Sequence, residues 1–349
     1  MTGESQNTQV AGETTPPSTG GQEPLASVVV CVYNRPQQVI TCLESLLRSD
    51  YPNFEIIVVD DGSTDETPQV VADFAAKCSQ PPIRVVRHPT NRGLCAARNT
   101  GIAAAGGQII LYTDSDCTVD PQWIGRIVEA FGDERVAAAS GLVVDVPPRN
   151  PAEWAAAGNT RLSGSSLARR LVGNNMAIRR VIADAFPFDE SIRLYADEED
   201  LARRLVSGGH HIAFVRDAIV YHDHPMTLRK YLRQAWLQGQ GSAYYWRKHG
   251  IWIGRDLIFL VLALLSLPLV LIRAELGWLA AGFFALHTLA HLYNERFLKG
   301  KSWIRAIYVL PVVLLYTAVK TVSVLYSHAR YLTSIRVWGR KAPRSSAHR

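Results

Sequence analysis

The sequence predicts an α/β protein with a Rossmann-like, mainly parallel sheet, followed by apolar membrane helices. From Ala26 onward, short runs rich in Val and Ile alternate with helical patterns, and this spacing indicates βαβ units. Polar clusters follow several of these runs, at the place where open parallel sheets bind their ligands. Three runs without any charged residue come after residue 256, which is typical of membrane segments.

The strands and helices are predicted from hydrophobic periodicity and from residues that start or stop helices. Pro36 begins the first predicted helix, and Leu201 and Leu205 mark a later one that Gly208 and Gly209 end. The predicted strands are residues 26–33, 54–60, 83–88, 108–114, 136–146 and 211–222, and the predicted helices are 35–49, a segment ending near Cys78, 93–105 and one beginning near 197.

Polar residues follow three of the predicted strands, in the clusters 33–35, 60–65 and 113–116. The carboxyl ends of parallel strands meet at one edge of a sheet, so these clusters are expected to converge. Asp114 and Asp116 stand one residue apart and repel each other unless a cation or a bound hydroxyl compensates. An ordinary turn is the alternative explanation for this pair, since Asp is a common turn residue.

The charge of the chain is divided between two halves of opposite sign. Residues 1–225 carry 19 Lys and Arg against 28 Asp and Glu, a net charge of −9, whereas residues 226–349 carry 18 against 3, a net charge of +15. A basic segment that is also strongly apolar suits an anionic membrane surface. The acidic first half argues against nucleic acid as a partner.

The N-terminal segment and the cysteines indicate a reducing compartment. Residues 1–24 are rich in Gly, Pro, Ser and Thr and lack an apolar core, so they predict a disordered tail rather than a signal peptide. The five cysteines form no CxxC pair and are expected to be free thiols. The folded part is therefore expected to begin at residue 25, in the cytoplasm.

The last third of the chain is expected to attach the protein to the cell membrane through several segments. Residues 226–255 mix Lys and Arg with Tyr and Trp, as in amphipathic helices at a membrane interface, and residues 329–349 form a basic tail. Between them, 256–328 are predicted membrane segments. The first two apolar runs would form a hairpin, and the third, which contains Pro311, would be re-entrant or interfacial; the sequence leaves their orientation open.

Six motifs between residues 26 and 225 resemble those of the family 2 glycosyltransferases. In chain order they are SVVVCVYNRPQQV, IIVVDDGSTDET, NRGLCAARNTGI, LYTDSDCTVDPQWI, GNNMAIRR and ADEEDLARRL. The resemblance implies the glycosyltransferase A fold for residues 25–225, with a nucleoside-diphosphate sugar as the donor. It also implies sugar transfer to an acceptor, for which membrane attachment favours a lipid-linked or envelope-glycan molecule.

The resemblance assigns roles in donor binding to individual residues. The backbone around Val32 and Tyr33 and the carboxylate of Asp61 would hold the nucleoside. Arg98 would approach the diphosphate, and Asp114 would accept hydrogen bonds from the ribose hydroxyls.

A divalent cation, Mg²⁺ or Mn²⁺, is the cofactor that the resemblance implies. Asp116 would be its ligand, because a metal bridging the two phosphates neutralises the leaving nucleoside diphosphate. His222 and His224 stand at the end of a predicted strand, and His222 would be a further ligand, as a late histidine is in some proteins of this fold. The alternative is that both are ordinary loop histidines.

The acidic run 197–200 would supply the general base that deprotonates the acceptor hydroxyl in an inverting displacement. The family pattern places its catalytic Asp at Glu198, where this chain has a side chain longer by one methylene. Glu199 and Asp200 are therefore alternative bases. A solvated helix start, favoured by the helix dipole, is the alternative without catalysis.

Two other functions fit part of the sequence. DSDCT resembles the signature of haloacid-dehalogenase-type phosphohydrolases, with Asp114 as nucleophile and Asp116 as acid and base, but it leaves the motifs around Asp61 and Arg98 without a role. A membrane scaffold with a degenerate transferase domain is the second alternative, and the Glu at position 198 is the feature that supports it.

Overall fold

The computed structural model describes residues 23–157, 170–192, 195–223, 225–251, 257–299 and 301–339. Most of the predicted N-terminal tail, residues 1–22, lies outside this range, as do residues 340–349 of the predicted basic tail.

Within the described residues, eight strands form one sheet in the order β3-β2-β1-β4-β7-β6-β8-β5. The first half, up to β4, is parallel throughout, as the βαβ spacing predicts. The strands are β1 (Ala26–Val32), β2 (Phe54–Asp60), β3 (Ile83–Arg87), β4 (Ile109–Asp114), β5 (Cys117–Val119), β6 (Val136–Asp145), β7 (Met176–Arg179) and β8 (His211–His222).

Both faces of the sheet are buried under helices, because successive residues of a strand point to opposite faces. Val28 and Val30 of β1 pack with Leu43 and Trp123 on one face, whereas Val29 packs on the other face with residues of the later helices. The helices of this part are α1 (Pro36–Leu46), α2 (Thr67–Lys77), α3 (Leu94–Ala104), α4 (Trp123–Glu129), α5 (Pro151–Ala156), α6 (Arg180–Ala185) and α7 (Asp197–Ser207).

The second half of the sheet is mixed, a feature that the periodicity did not predict. Strand β7 runs antiparallel between β4 and β6, and β5 pairs antiparallel with the end of β8. β6 and β8 pair in parallel. The predicted α/β class is confirmed, and the change of direction at β7 divides the sheet into a parallel half and a mixed half.

The apolar runs form helices that differ in part from the prediction. The first run makes the nine-residue helix α9 (Ile258–Ser266), which passes at Pro268 into a 3₁₀ segment, Leu267–Leu271. The α-helical part of this run is therefore shorter than a membrane span, and it is not among the described helices long enough to cross a membrane. Attachment through all three runs as membrane segments is not supported, although the helix of the first run packs against that of the second.

Two helices among the described residues are long and apolar enough to cross a membrane, by length and composition alone. They are Ala274–Phe297 and Trp303–Thr333, which contain α10 (Gly277–Tyr293) and most of α11 (Trp303–Gly339). The third apolar run was expected to be re-entrant or interfacial, but it lies in this one continuous helix, which retains Pro311 in its interior.

These helices contact the α/β part through α5 and through α8. Helix α8 (Leu228–Lys248) packs along α11, where the rings of Tyr231 and Tyr316 lie 4.4 Å apart. Between α10 and α11, the Lys301 ammonium donates to the backbone oxygen of Trp154 in α5 and to the buried Glu295 carboxylate, both at 2.5 Å. Apolar residues of α5, α8 and α11 share one buried cluster, so the helices are attached to the sheet domain through α5 and α8 together.

Candidate donor and metal site

The loops after β1 and β2 are joined to each other by hydrogen bonds. Ser63 accepts from the backbone N–H of Asn34 (2.9 Å), and Asn34 in turn accepts from the N–H of Thr64 (2.9 Å). Gly62 has φ +74°, and a Cβ there would lie 2.4 Å from the backbone carbon of Thr90, so only glycine fits this turn. Tyr33 stands beside these loops with 44% of its surface exposed, as expected of a residue that contacts a ligand.

Asp61 is buried and organises the loop that leads into α3. Its two carboxylate oxygens accept from the backbone N–H groups of Arg92 and Gly93, both at 2.8 Å. The Nδ1 atom of His88 lies 2.7 Å from the same carboxylate, and Nε2 of that ring lies 2.8 Å from Thr100. The structure therefore places Asp61 as the link between the β2 and β3 loops.

Asp114 and Asp116 lie at the carboxyl end of β4 and differ in their surroundings. Asp114 is partly exposed, and its carboxylate lies 3.8 Å from the guanidinium of Arg98. Burial raises the pKa of Asp114, and the positive charge of Arg98 opposes that rise. Asp116 is more deeply buried and forms an ion pair with Arg35, from the loop after β1. Each of the two repelling carboxylates thus has a cation beside it.

His222, at the end of β8, joins the group around Asp116. Its Nε2 lies 3.7 Å from the Asp116 carboxylate and its Nδ1 lies 3.4 Å from Asp145. Burial lowers the pKa of His222, but the hydrogen bonds with these two carboxylates raise it by more, to about 10. Asp116, Asp145 and Asp114 thus surround the ring with negative charge, which attracts cations, and the ring itself is held in its protonated form.

The chemistry of this group suits a hard divalent cation. Ligand atoms of Asp116, Cys117 and His222 all lie within 4.8 Å of one another, and carboxylate oxygen and imidazole nitrogen are both ligands of Mn²⁺ and related ions. Burial raises the pKa of Cys117 well above its usual range, so its sulfur stays a neutral thiol and ligates weakly. Asp116 would accordingly be the primary ligand, and His222 would join it once a bound metal had displaced the proton of its ring.

Arg98 is a buried cation that connects the β4 end with the acidic helix α7. Its guanidinium pairs with Asp197, the first residue of α7, and donates to the backbone oxygen of Gly173 at 2.9 Å. A Cβ at Gly173 would lie 3.0 Å from this guanidinium and 3.6 Å from the Glu198 carboxyl carbon. Arg98, Asp114 and Glu198 are thereby brought together from three separate parts of the sequence.

The three candidate bases have different environments in α7. Glu198 is partly buried near Arg98; burial raises its pKa well above the usual range, and the charge of Asp197 raises it further. Glu199 is exposed. Asp200 is fully buried and accepts from Arg204, Lys248 and His249, each at 2.8 Å. Of the three, Glu198 is the carboxyl group that lies beside the donor-site residues.

A cleft of about 200 Å³ opens next to Asp116. Gln38 and Thr41 of α1 line one side of it, and Tyr221 and Pro225 line the other. It is an extension of the candidate metal site towards the segment that follows β8.

Sequence reasoning missed several residues that complete the site. Arg35 belongs to the polar cluster after β1, but no role was predicted for it. Asp197 and Asp145 were not singled out, because their partners Arg98 and His222 lie 99 and 77 positions away along the chain. For Asp197, the available signal was its position next to Glu198, a predicted site residue.

Comparison with known protein families identifies this arrangement. The model of Glycosyl transferase family 2 matches residues 27–183, and that of Glycosyl transferase family group 2 matches residues 109–320, more than half of the chain. Together the two matches cover nearly all of the sheet and every residue of the site around Asp116 and Arg98.

Curated relatives include several bacterial and archaeal proteins. Glycosyltransferase AglE of Haloferax volcanii is 26% identical over 64% of this chain and 74% of its own, and succinoglycan biosynthesis protein ExoO of Rhizobium meliloti is 29% identical over 60% and 64%. EpsH of Bacillus subtilis is 39% identical over 32% of each chain. The chain thus spans about a third to three quarters of the length of these relatives.

Solved structures share the fold. A mannosyltransferase from Pyrobaculum calidifontis, in complex with GDP-Man and Mn²⁺, superposes with a TM-score of 0.59 at 20% identity over 87% of this chain and 88% of its own. GalNAc-T7, with UDP, GalNAc and Mn²⁺, gives a TM-score of 0.51 at 16% identity over 64% and 50%. The fold is that of the glycosyltransferase A enzymes, and the family matches show that the chain belongs to the family 2 glycosyltransferases.

Proposed function

We propose that this glycosyltransferase is metal-dependent and transfers a sugar from a nucleoside-diphosphate donor, with inversion, to a lipid-linked or envelope-glycan acceptor. The observation that carries the proposal is an arrangement at the carboxyl edge of the sheet. Asp116 and His222, which would hold the cation, lie together there, and Glu198, which would be the base, lies near Arg98, the partner of Asp114. The two structural neighbours bind GDP-Man or UDP together with Mn²⁺, which supports a donor of this class.

The parallel half of the sheet would bind the donor. Val32 and Tyr33 lie at the end of the central strand β1, and Asp61 follows β2, where a nucleoside is accommodated in sheets of this kind. Asp114 has its carboxylate partly exposed, so it is available to ribose hydroxyls. Arg98 is paired with Asp197, and its charge would act on the diphosphate from that buried position.

Asp116 and His222 would hold Mg²⁺ or Mn²⁺. Such an ion, when bound, neutralises charge that develops on the leaving nucleoside diphosphate. Arg35 lies against Asp116 and would have to share or release this carboxylate when the cation binds. A guanidinium so placed is then available to the donor phosphates, which Arg binds well.

Glu198 would remove the proton of the acceptor hydroxyl. A base whose pKa is raised is stronger once it is deprotonated, and the surroundings of Glu198 raise its pKa. A single displacement of this kind inverts the anomeric centre, because the acceptor attacks opposite to the leaving group.

The apolar helices would attach the enzyme to the cell membrane, with the sheet domain in the cytoplasm. The surface of α10 and α11 carries many exposed apolar side chains, among them Trp278 at 81% and Ile304 at 82% exposure, which is costly in water. The basic residues at the junction of the two helices are Arg296, Lys299, Lys301 and, in the first turn of α11, Arg305. Because Lys301 contacts Trp154 of the sheet domain, this end of both helices would be the cytoplasmic one.

The test of function is release of nucleoside diphosphate from a panel of GDP- and UDP-sugars by the detergent-solubilised chain. We expect turnover with Mn²⁺ or Mg²⁺ and its loss in EDTA, restored by excess metal. Turnover of p-nitrophenyl phosphate in place of nucleotide sugars would favour the phosphohydrolase alternative. Donor binding without any turnover would favour the scaffold alternative.

Membrane attachment has a separate test. The full chain should sediment with membranes, resist extraction by high salt and alkaline carbonate, and dissolve only in detergent, because lipid contact and not charge would hold it. Recovery of the full chain in the soluble fraction without detergent would contradict the proposal.

A further inference from the structure

The first turn of α7 has no side-chain capping hydrogen bond that would fix its position. Its N-cap residue is Ala196, which has no side chain able to cap the helix. Tyr195 and Ala196 both have positive φ angles, 60° and 69°, a conformation that is unfavourable for residues other than glycine. The place of this turn must therefore be set by contacts with other elements.

Two sets of ion pairs, from two different elements, hold this turn. Asp197 pairs with Arg98 of α3. Asp200 accepts from Lys248 and His249, which lie at the C-terminal end of α8. Asp197 and Asp200 are three residues apart and lie on the same side of α7, whereas Glu198, in the same turn, is rotated by about 100° from Asp197.

The α8 contact is dense, and its central carboxylate, Asp200, is fully buried. Lys248 bridges two carboxylates, with Nζ 2.8 Å from Asp200 and 2.6 Å from Asp189, and Tyr244 donates to Asp189 at 3.2 Å. Burial raises the pKa of Asp200, but hydrogen bonds led by that from Lys248 hold it below its usual range. Asp200 is thus an anion held in ion pairs with cationic side chains, which makes it unsuited to accept a proton from a substrate.

We propose that Lys248 and His249 are positioning residues of the transfer reaction, which act through Asp200 to hold Glu198 beside Arg98 and Asp114. This inference rests on the proposed function, since it takes Glu198 as the base. It also gives the end of α8 a role in the reaction, because the helix that packs along α11 is coupled to the catalytic carboxylate through one lysine and one histidine.

Kinetics of Lys248→Met test this role in the full chain, with the GDP- or UDP-sugar that the parent enzyme uses. We expect kcat for nucleoside-diphosphate release to fall by roughly ten- to a hundredfold, because small displacements of a reacting group are costly, while the donor KM stays within about twofold. Lys248→Arg, which keeps the charge and can bond both carboxylates, should retain most of the activity. Arg203→Met removes a positive charge from an exposed position of α7 and should leave kcat unchanged.

A double-mutant cycle separates this role from catalysis by Asp200 itself. If the pair acts as one unit, Lys248→Met in the Asp200→Asn background lowers kcat no further than either change alone. Effects of the two changes that multiply, or an Asp200→Asn variant that is inactive while Lys248→Met is fully active, would overturn the inference and leave the proposed function standing with Asp200 as base.

Hydrogen exchange gives a readout that does not depend on turnover. In Lys248→Met, the amides of residues 197–201 should exchange faster than in the parent, whereas those of β1 and β2 should be unchanged. Unchanged exchange in this turn would overturn the inference. If the parent enzyme uses no donor in the panel, that result would count against the proposed function, and the exchange measurement would still test the inference.

Discussion

Glu198→Gln is expected to lower the rate of sugar transfer by about two to four orders of magnitude, the usual contribution of a positioned general base. The amide keeps the shape and hydrogen bonding of the side chain but has no basic oxygen. Donor affinity should be nearly unchanged, because the donor-site residues belong to other elements. The measurement is kcat for transfer together with donor binding by calorimetry in the presence of Mn²⁺.

The pH profile provides a second test of this base. Burial and Asp197 raise the pKa of Glu198, and a base works only when it is deprotonated. Parent activity should therefore fall as the pH decreases through this raised pKa, and the residual activity of Glu198→Gln should lose that acid limb.

Matched substitutions complete this experiment. Glu129→Gln makes the same change at an exposed position of α4 and should have the activity of the parent. A fully active Glu198→Gln combined with an inactive Glu199→Gln or Asp200→Asn would move the base to that residue. Full activity of all three variants would show that the acidic turn is not catalytic.

Asp116→Asn should reduce transfer by about a hundred- to a thousandfold at subsaturating Mn²⁺. Stabilisation of the leaving group by a metal contributes several kcal/mol, and each 1.4 kcal/mol corresponds to a tenfold change in rate. Part of the loss should return at high Mn²⁺ concentration, since His222 and the amide oxygen of the variant remain as weaker ligands. The measurement is a Mn²⁺ titration of turnover.

The control for charge is Asp73→Asn, on the exposed face of α2, which should keep the Mn²⁺ dependence of the parent. An Asp116→Asn variant with the same Mn²⁺ dependence as the parent would remove Asp116 from the metal site. The remaining role of the Asp116 carboxylate would then be its ion pair with Arg35.

The parallel half of the fold was predictable because its signals are local. β1 and β2 are runs of buried aliphatic residues, and each ends in a polar cluster that marks the ligand edge. The direction of β7 was not predictable, because a four-residue strand, Met176–Arg179, shows no periodicity that distinguishes parallel from antiparallel pairing. The first apolar run passes into a 3₁₀ segment at Pro268, whereas α11 continues through Pro311, so a proline in the sequence did not by itself predict where an apolar helix ends.

The placement of the site residues at the sheet edge was predictable, but the residues with which they form ion pairs were not. The strand ends place Asp61, Asp114 and Asp116 at one edge, as expected. Two of these ion pairs are Arg98 with Asp197 and Lys248 with Asp200. They depend on how elements far apart in the chain pack in three dimensions. Charged partners over such distances leave no pattern in a single sequence.

The attachment of the apolar helices through α5 and α8 together has a mechanical consequence. A body joined to its support along an extended contact rotates less freely than one joined at a single flexible point. In the proposed membrane arrangement, this contact would restrict the height above the membrane at which the sheet edge meets an acceptor hydroxyl.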